Sequence, residues 1–187
     1  MSGVDTRPPV AELITGLAHR IGVPAFVEVC IDLLEGAPRE RYGEELRALT
    51  GHDWRSGDDV LDPTVWADHW LRTWGARGLL HVWDDRAAPA VVAGLADEEW
   101  RPAEMCLKVT ARHEVAGAGD GAAALADHEL PRVRAQAMRA LAAVGDTEHA
   151  DVVRDHLADE DEAVRRQAAR ALERLARRLD LADGDGA

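Results

Sequence analysis

The chain has 187 residues, 47% of them apolar, which suits a single folded domain with a substantial core. Its formal charge of −13 argues against a general nucleic-acid coat protein, which needs net positive potential to displace counterions. Only two cysteines occur, in no CxxC and no Cys/His cluster, so a structural zinc site is not expected.

Six tryptophans stand against one Phe and one Tyr, and Lys108 is the one lysine among 22 basic residues; a GC-rich codon bias accounts for both. Cys30 and Cys106 sit in apolar helical patterns and read as small buried hydrophobes in a reducing compartment. Met1 to Arg7 lacks the apolar core of a signal peptide, and no window approaches the ~18 apolar residues of a membrane span. A cytoplasmic protein with no membrane partner is expected.

Strand signals are almost absent and helix punctuation is dense. Pro8 and Pro9 open a first helix to about Arg20, ended by Gly22. Pro24 opens a second, closed by Gly36, and Pro38 opens a third through Leu49 with Gly51 just beyond. Residues 51–61 are polar, rich in Gly and Asp, and read as a loop. Asp62-Pro63 is an N-cap and first-turn pair for a long helix to about Trp83. Helices then follow at 88–96, 102–113, 122–126, 131–144, 149–158 and 163–179, with a Gly-rich connection at 114–121. Residues 8–62 are expected to form an N-terminal helical layer, 63–180 a run of repeats in one continuous domain, and 181–187 a disordered tail.

A short pattern recurs every 31 residues. It is Val133-Arg134-x-x-Ala137-x-x-Ala140-Leu141 and then Val164-Arg165-x-x-Ala168-x-x-Ala171-Leu172. Twice the interval earlier stands Leu71-Arg72-x-x-Gly75-x-x-Gly78-Leu79. The intermediate copy keeps small or apolar Cys106 and Val109 but has Ala103 in the Arg slot. A fixed period of this size means stacked two-helix units, in which small residues let helices approach and Leu fills the groove. Arg134 and Arg165 each follow an acidic turn, Asp127 or Asp159, and suit a structural ladder that bonds turn carbonyls between repeats.

These residues resemble the HEAT-repeat family, in its short phycocyanobilin lyase-type form. The motif Asp-x-x-x-x-Val-Arg-x-x-Ala-x-x-Ala-Leu at 159–172 and its relative at 127–141 carry the resemblance, which covers roughly 65–180. It implies an all-α, right-handed α-solenoid of helical hairpins with the Val-Arg helix on the concave surface. It implies binding, not lyase activity.

Charge is segregated along the repeats. The inner helices carry Arg132, Arg134 and Arg139, then Arg165, Arg166, Arg170, Arg174, Arg177 and Arg178, while acids gather in the turns and outer helices. Arg139 and Arg170, 31 residues apart, should stack into a row. With Arg132 and Arg166 they form either a basic stripe for an acidic peptide, phosphate groups or a nucleic-acid backbone, or a solvated face neutralised by the acidic turns. Trp66, Trp70 and Trp74 fall on one helical stripe, either a seam between the N-terminal layer and the repeats or an aromatic floor for a ligand. His149 and His156 lack a third ligand, so no metal is expected there. With no catalytic elbow, P-loop or dinucleotide fingerprint, no catalytic residue or cofactor is expected. A non-catalytic module binding a protein or acidic peptide is the reading. The competing one is an enzyme resembling the HEAT-fold alkylpurine DNA glycosylases, although nucleic acid sits poorly with the acidic charge.

Overall fold

The computed structural model describes residues 8–52 and 59–180, so the tail expected at 181–187 lies outside the described residues. All regular structure among them is helical. The chain divides into two compact units, Met1–Ala87 and Ala88–Ala187. The line drawn at 62/63 from sequence falls inside the first unit, because the helix that follows it packs on the N-terminal helices.

The first unit contains α1 (Val10–Ile21), α2 (Val23–Leu34), α3 (Gly43–Thr50) and α4 (Asp68–His81), with a 3-10 turn at Arg39–Tyr42 before α3. One residue, Gly22 at φ 86°, reverses the chain between α1 and α2; an L side chain there would be strained. Ile14, Leu17, Phe26, Val27, Leu33, Leu46 and Leu49 fill the core. Each fully buried side chain of this kind contributes roughly 1.5–3 kcal/mol.

The main contact of this unit sets α4 against α2. It depends on the two small positions of the first repeat copy. A Cβ on Gly75 would stand 2.6 Å from the Cys30 carbonyl oxygen, and one on Gly78 would stand 2.4 Å from the Cys30 sulfur. Backbone cannot yield as a side-chain tip can. Gly75→Ala should therefore destabilise by about 1–2 kcal/mol, the strain outweighing the gain in helix propensity. A urea melt in which it matched or exceeded the parent midpoint would disprove this close approach.

The expected helix start at Asp62-Pro63 is corrected: α4 begins at Asp68. The Asp62 carboxylate instead accepts from the backbone N–H and hydroxyl of Thr64, and its carbonyl accepts from Trp66 N–H. These local bonds close a turn that competes with helix initiation. Buried Arg39 (5% exposed) ties this stretch to the unit by donating to the Val60 carbonyl and pairing with Asp68.

The second unit is a series of hairpins. A short outer helix precedes a longer inner one three times: α5 (Ala88–Gly94) and α6 (Trp100–His113), α7 (Gly119–Ala124) and α8 (Pro131–Val144), α9 (Ala150–Asp155) and α10 (Glu162–Leu179). Inner helix α8 packs on both α6 and α10. Cys106, Ala137 and Ala168 are fully buried, as are Val109 and Ala140, with Ala171 at 1% exposure. The unslipped 31-residue register therefore holds for the small packing positions of this unit. Leu141 and Leu175 fill the groove, while Val144 and Leu172 are only half-buried. α10 starts at an N-cap, the Asp161 carboxylate accepting from the N–H groups of Ala163 and Val164.

Candidate binding surface

The motif arginines are structural. The Arg134 guanidinium donates to the carbonyls of His128 and Glu129, both at 3.1 Å, and grips both carboxylate oxygens of Asp159 at 2.8 and 2.9 Å. Arg165 repeats the carbonyl bonds one repeat later, to Asp159 and Glu160. The carboxylate rung thus runs forward to the next turn; the exposed Asp127 carboxylate stands beside His156 instead. The hydrogen bond from Arg134, the first cause, holds the Asp159 carboxyl below the usual carboxylate range, helped by the Asp161 N–H and the guanidinium charge.

The two outer histidines are structural as well. Buried His149 faces the carboxylates of Asp146 and Asp120, and buried His156 sets its ring nitrogens against the carbonyls of Val152 and Ala126. Each spans from one hairpin to the one before it. Among the described residues no group of three His, Cys, Asp or Glu could hold a metal.

The second copy of the motif solves its missing arginine differently. Ala103 occupies the slot and is buried, and the neighbouring Glu104 is buried as well (6% exposed). Arg132, reaching back from α8, meets both Glu104 carboxylate oxygens at 2.9 and 3.0 Å, and Lys108 pairs with it at 3.1 Å. The Arg132 guanidinium also lies 4.8 Å from the Trp100 ring centroid. A buried carboxylate needs such company. Arg132, expected to face a partner, is therefore committed to the link between α6 and α8.

The remaining candidates separate clearly. Arg166 pairs with Glu162 one turn earlier on α10, an exposed contact of small worth. Arg139 and Arg170 are exposed and line one notch of about 240 Å³, together with Arg174 and Gln167. Ala111, Ala142 and Ala171, from α6, α8 and α10, form its apolar base. Arg139 donates to Gln136 on its own helix at 2.8 Å, and Arg174 meets Glu114 at 2.7 Å. Arg170 has no ion pair among the described residues. Gln167 and Glu114 were missed from sequence, and Arg174, named there among the inner-helix cations, was not placed in the row with Arg139 and Arg170. Arg174 was findable as the residue one helical turn beyond Arg170; Glu114 was not, being 60 positions away.

Trp66 and Trp70 lie in the first unit and pack on Trp74 and on each other, with ring centroids 5.4 to 6.2 Å apart. Trp66 precedes α4 instead of riding on it, yet its ring still joins the stripe, with His52 edge-on at 5.2 Å. Trp74 is buried and the other two are half-buried. The cluster glues α4 to the turn before it, inside one unit.

Both cysteines are free and buried, and burial pushes their thiols well above the usual range. No helix among the described residues is long and apolar enough to cross a membrane.

A family model of HEAT repeats matches residues 121–182, the stretch that carries α8, α9 and α10. No curated protein matches the chain. Among solved structures, a crystal structure of an engineered protein is similar at 19% identity and a TM-score of 0.48, over 91% of this chain and 80% of that one.

Proposed function

With HEAT repeats at residues 121–182 as the premise, we propose that the protein is a non-catalytic binding module whose partner presents an acidic peptide to the α8–α10 face. The observation that carries the reading is the notch itself. Arg139 and Arg170 occupy equivalent repeat positions, are exposed, and have no duty in the turn ladder comparable to that of Arg134 and Arg165. Lys108 precedes Arg139 by the same 31 residues, so three cations recur in register along α6, α8 and α10. A row with that period suits an extended chain better than a compact small molecule. Two buried free thiols favour a reducing compartment, and the cytoplasm is the proposed location.

A dye-labelled peptide of alternating Asp, Glu and Gly residues tests this by fluorescence anisotropy at low salt. Saturable binding should weaken at least ~10-fold in the Arg139→Glu/Arg170→Glu variant, a loss of about 1.4 kcal/mol. Its melting midpoint should move by no more than a few degrees, as for other surface changes. Unchanged affinity in the double variant would remove the face from consideration. Equal or tighter binding of a duplex oligonucleotide, lost in the same variant, would turn the reading to nucleic acid.

A further inference from the structure

The notch holds more positive charge than a carboxylate requires. Elsewhere in this unit one guanidinium suffices: Asp159 takes both its short bonds from Arg134, and Glu104 takes its own from Arg132 with Lys108 beside it. Here the guanidinium-bearing side chains of Arg139, Arg170 and Arg174 line a single space of about 240 Å³. Nearby Gln167 adds an amide that can donate or accept. A dianionic tetrahedral group, with three oxygens to share among several donors, matches that set better than a planar carboxylate does. A phosphoryl group is small enough for a space of this size and leaves room for the chain that bears it.

A second observation concerns Glu114. It ends α6 in the left-handed region at φ 53°, ψ 47°, where glycine or asparagine is the usual residue. From there its carboxylate reaches Arg174 on α10 at 2.7 Å. Both partners are substantially exposed, at 44% and 62% of their side-chain surface, so the pair is weak and readily exchanged. An acid held in a disfavoured backbone conformation thus occupies one of the three guanidinium groups in the free protein.

We propose that this notch receives a phosphorylated side chain of an acidic peptide, bound by Arg139, Arg170 and Arg174, and that Glu114 occupies Arg174 until the phosphoryl group displaces it. The inference rests on the acidic-peptide reading above and names the group that anchors it. It also fits a chain of net charge −13. Long-range attraction is absent, so affinity must come from close, directional contacts, and a displaced internal carboxylate sets a threshold that a single weak acid does not pass.

The test uses the intact chain and three dye-labelled twelve-residue acidic peptides that differ at a central position: serine, phosphoserine, and an Asp-Asp pair of matching charge. Fluorescence anisotropy should show the phosphoserine peptide binding about tenfold tighter than the serine peptide, with the Asp-Asp peptide near the latter. Arg170→Ala and Arg174→Ala should each erase most of that preference. Glu114→Gln should tighten phosphopeptide binding about threefold, a gain that misfolding could not produce. Thermal melts of every variant separate lost contacts from lost structure. If the serine and phosphoserine peptides bind equally while Arg139→Glu/Arg170→Glu still abolishes binding, the acidic-peptide reading stands and the phosphoryl assignment falls. An Asp-Asp peptide as tight as the phosphopeptide overturns the assignment too. Failure of all three peptides to bind overturns both readings. Unchanged affinity in Glu114→Gln removes the internal competitor.

Discussion

Ala137→Asp and Ala168→Asp should each lower stability by several kcal/mol, while Arg170→Ala stays within about 0.5 kcal/mol of the parent. The contrast follows from where each side chain sits. Ala137 and Ala168 are fully buried, on the two inner helices α8 and α10 that pack together. The one acid buried on a neighbouring inner helix, Glu104, shows what tolerance requires: an arginine at 2.9 Å and a lysine at 3.1 Å. For a chain of this length, several kcal/mol corresponds to a fall of roughly 10 °C or more in the melting midpoint. Similar midpoints for Ala168→Asp and Arg170→Ala would mean that the packing face has been assigned to the wrong side of α10.

Arg134→Ala should cost about 3 kcal/mol, and Arg165→Ala distinctly less. Removing the Arg134 guanidinium strands a carboxylate whose side chain is 7% exposed, and it strips the carbonyls of His128 and Glu129 of a shared donor. Breaking one side of such a buried pair costs more than the pair contributes, because the remaining charge stays desolvated. Arg165 bonds carbonyls alone, so its loss leaves no buried charge behind. The pair also carries a pH signature. Arg134 depresses the folded-state pKa of Asp159, so the stability it adds is fully present above the unfolded carboxyl pKa of about 3.9. That stability is lost as pH falls through the lower, folded value. The difference between parent and Arg134→Ala in urea midpoint should therefore shrink as pH is lowered below about 4. A constant difference from neutral pH to pH 3 would show that the Asp159 charge is not what Arg134 holds.

Much of the second unit was legible because its rules are local and periodic. Gly and Pro punctuation set helix ends to within a few residues, with α8 found at Pro131–Val144 as expected. The 31-residue spacing put Cys106, Ala137 and Ala168 on the buried face, and small residues at a fixed interval point to this register. The ladder role of Arg134 and Arg165 followed from the same spacing, since an arginine five or six residues past a turn can reach that turn's carbonyls.

Arg132 and Arg139 show where such reasoning stops. Both are arginines on α8, and both looked equally available in sequence. Glu104, 28 residues earlier and on another helix, engages the first, while the second donates only to Gln136 on its own helix. Asp62-Pro63 looked like a helix start, yet the Asp62 side chain closes a turn with Thr64 and α4 begins six residues later. The tryptophans carried the right period, but the sequence could not say that Trp66, Trp70 and Trp74 close on one another within a single unit.

By itself, then, the amino-acid sequence determined the helical hairpins, their register, the buried small-residue face and the two motif arginines, because each depends on neighbours within about one repeat along the chain. Tertiary structure alone decided which cations the fold consumes and which it leaves facing outward, and it brought Glu114 to Arg174 across 60 residues. The physical reason is range. Helix periodicity and capping act over a few residues, whereas ion pairing depends on distance in space, which stacking sets and spacing along the chain does not.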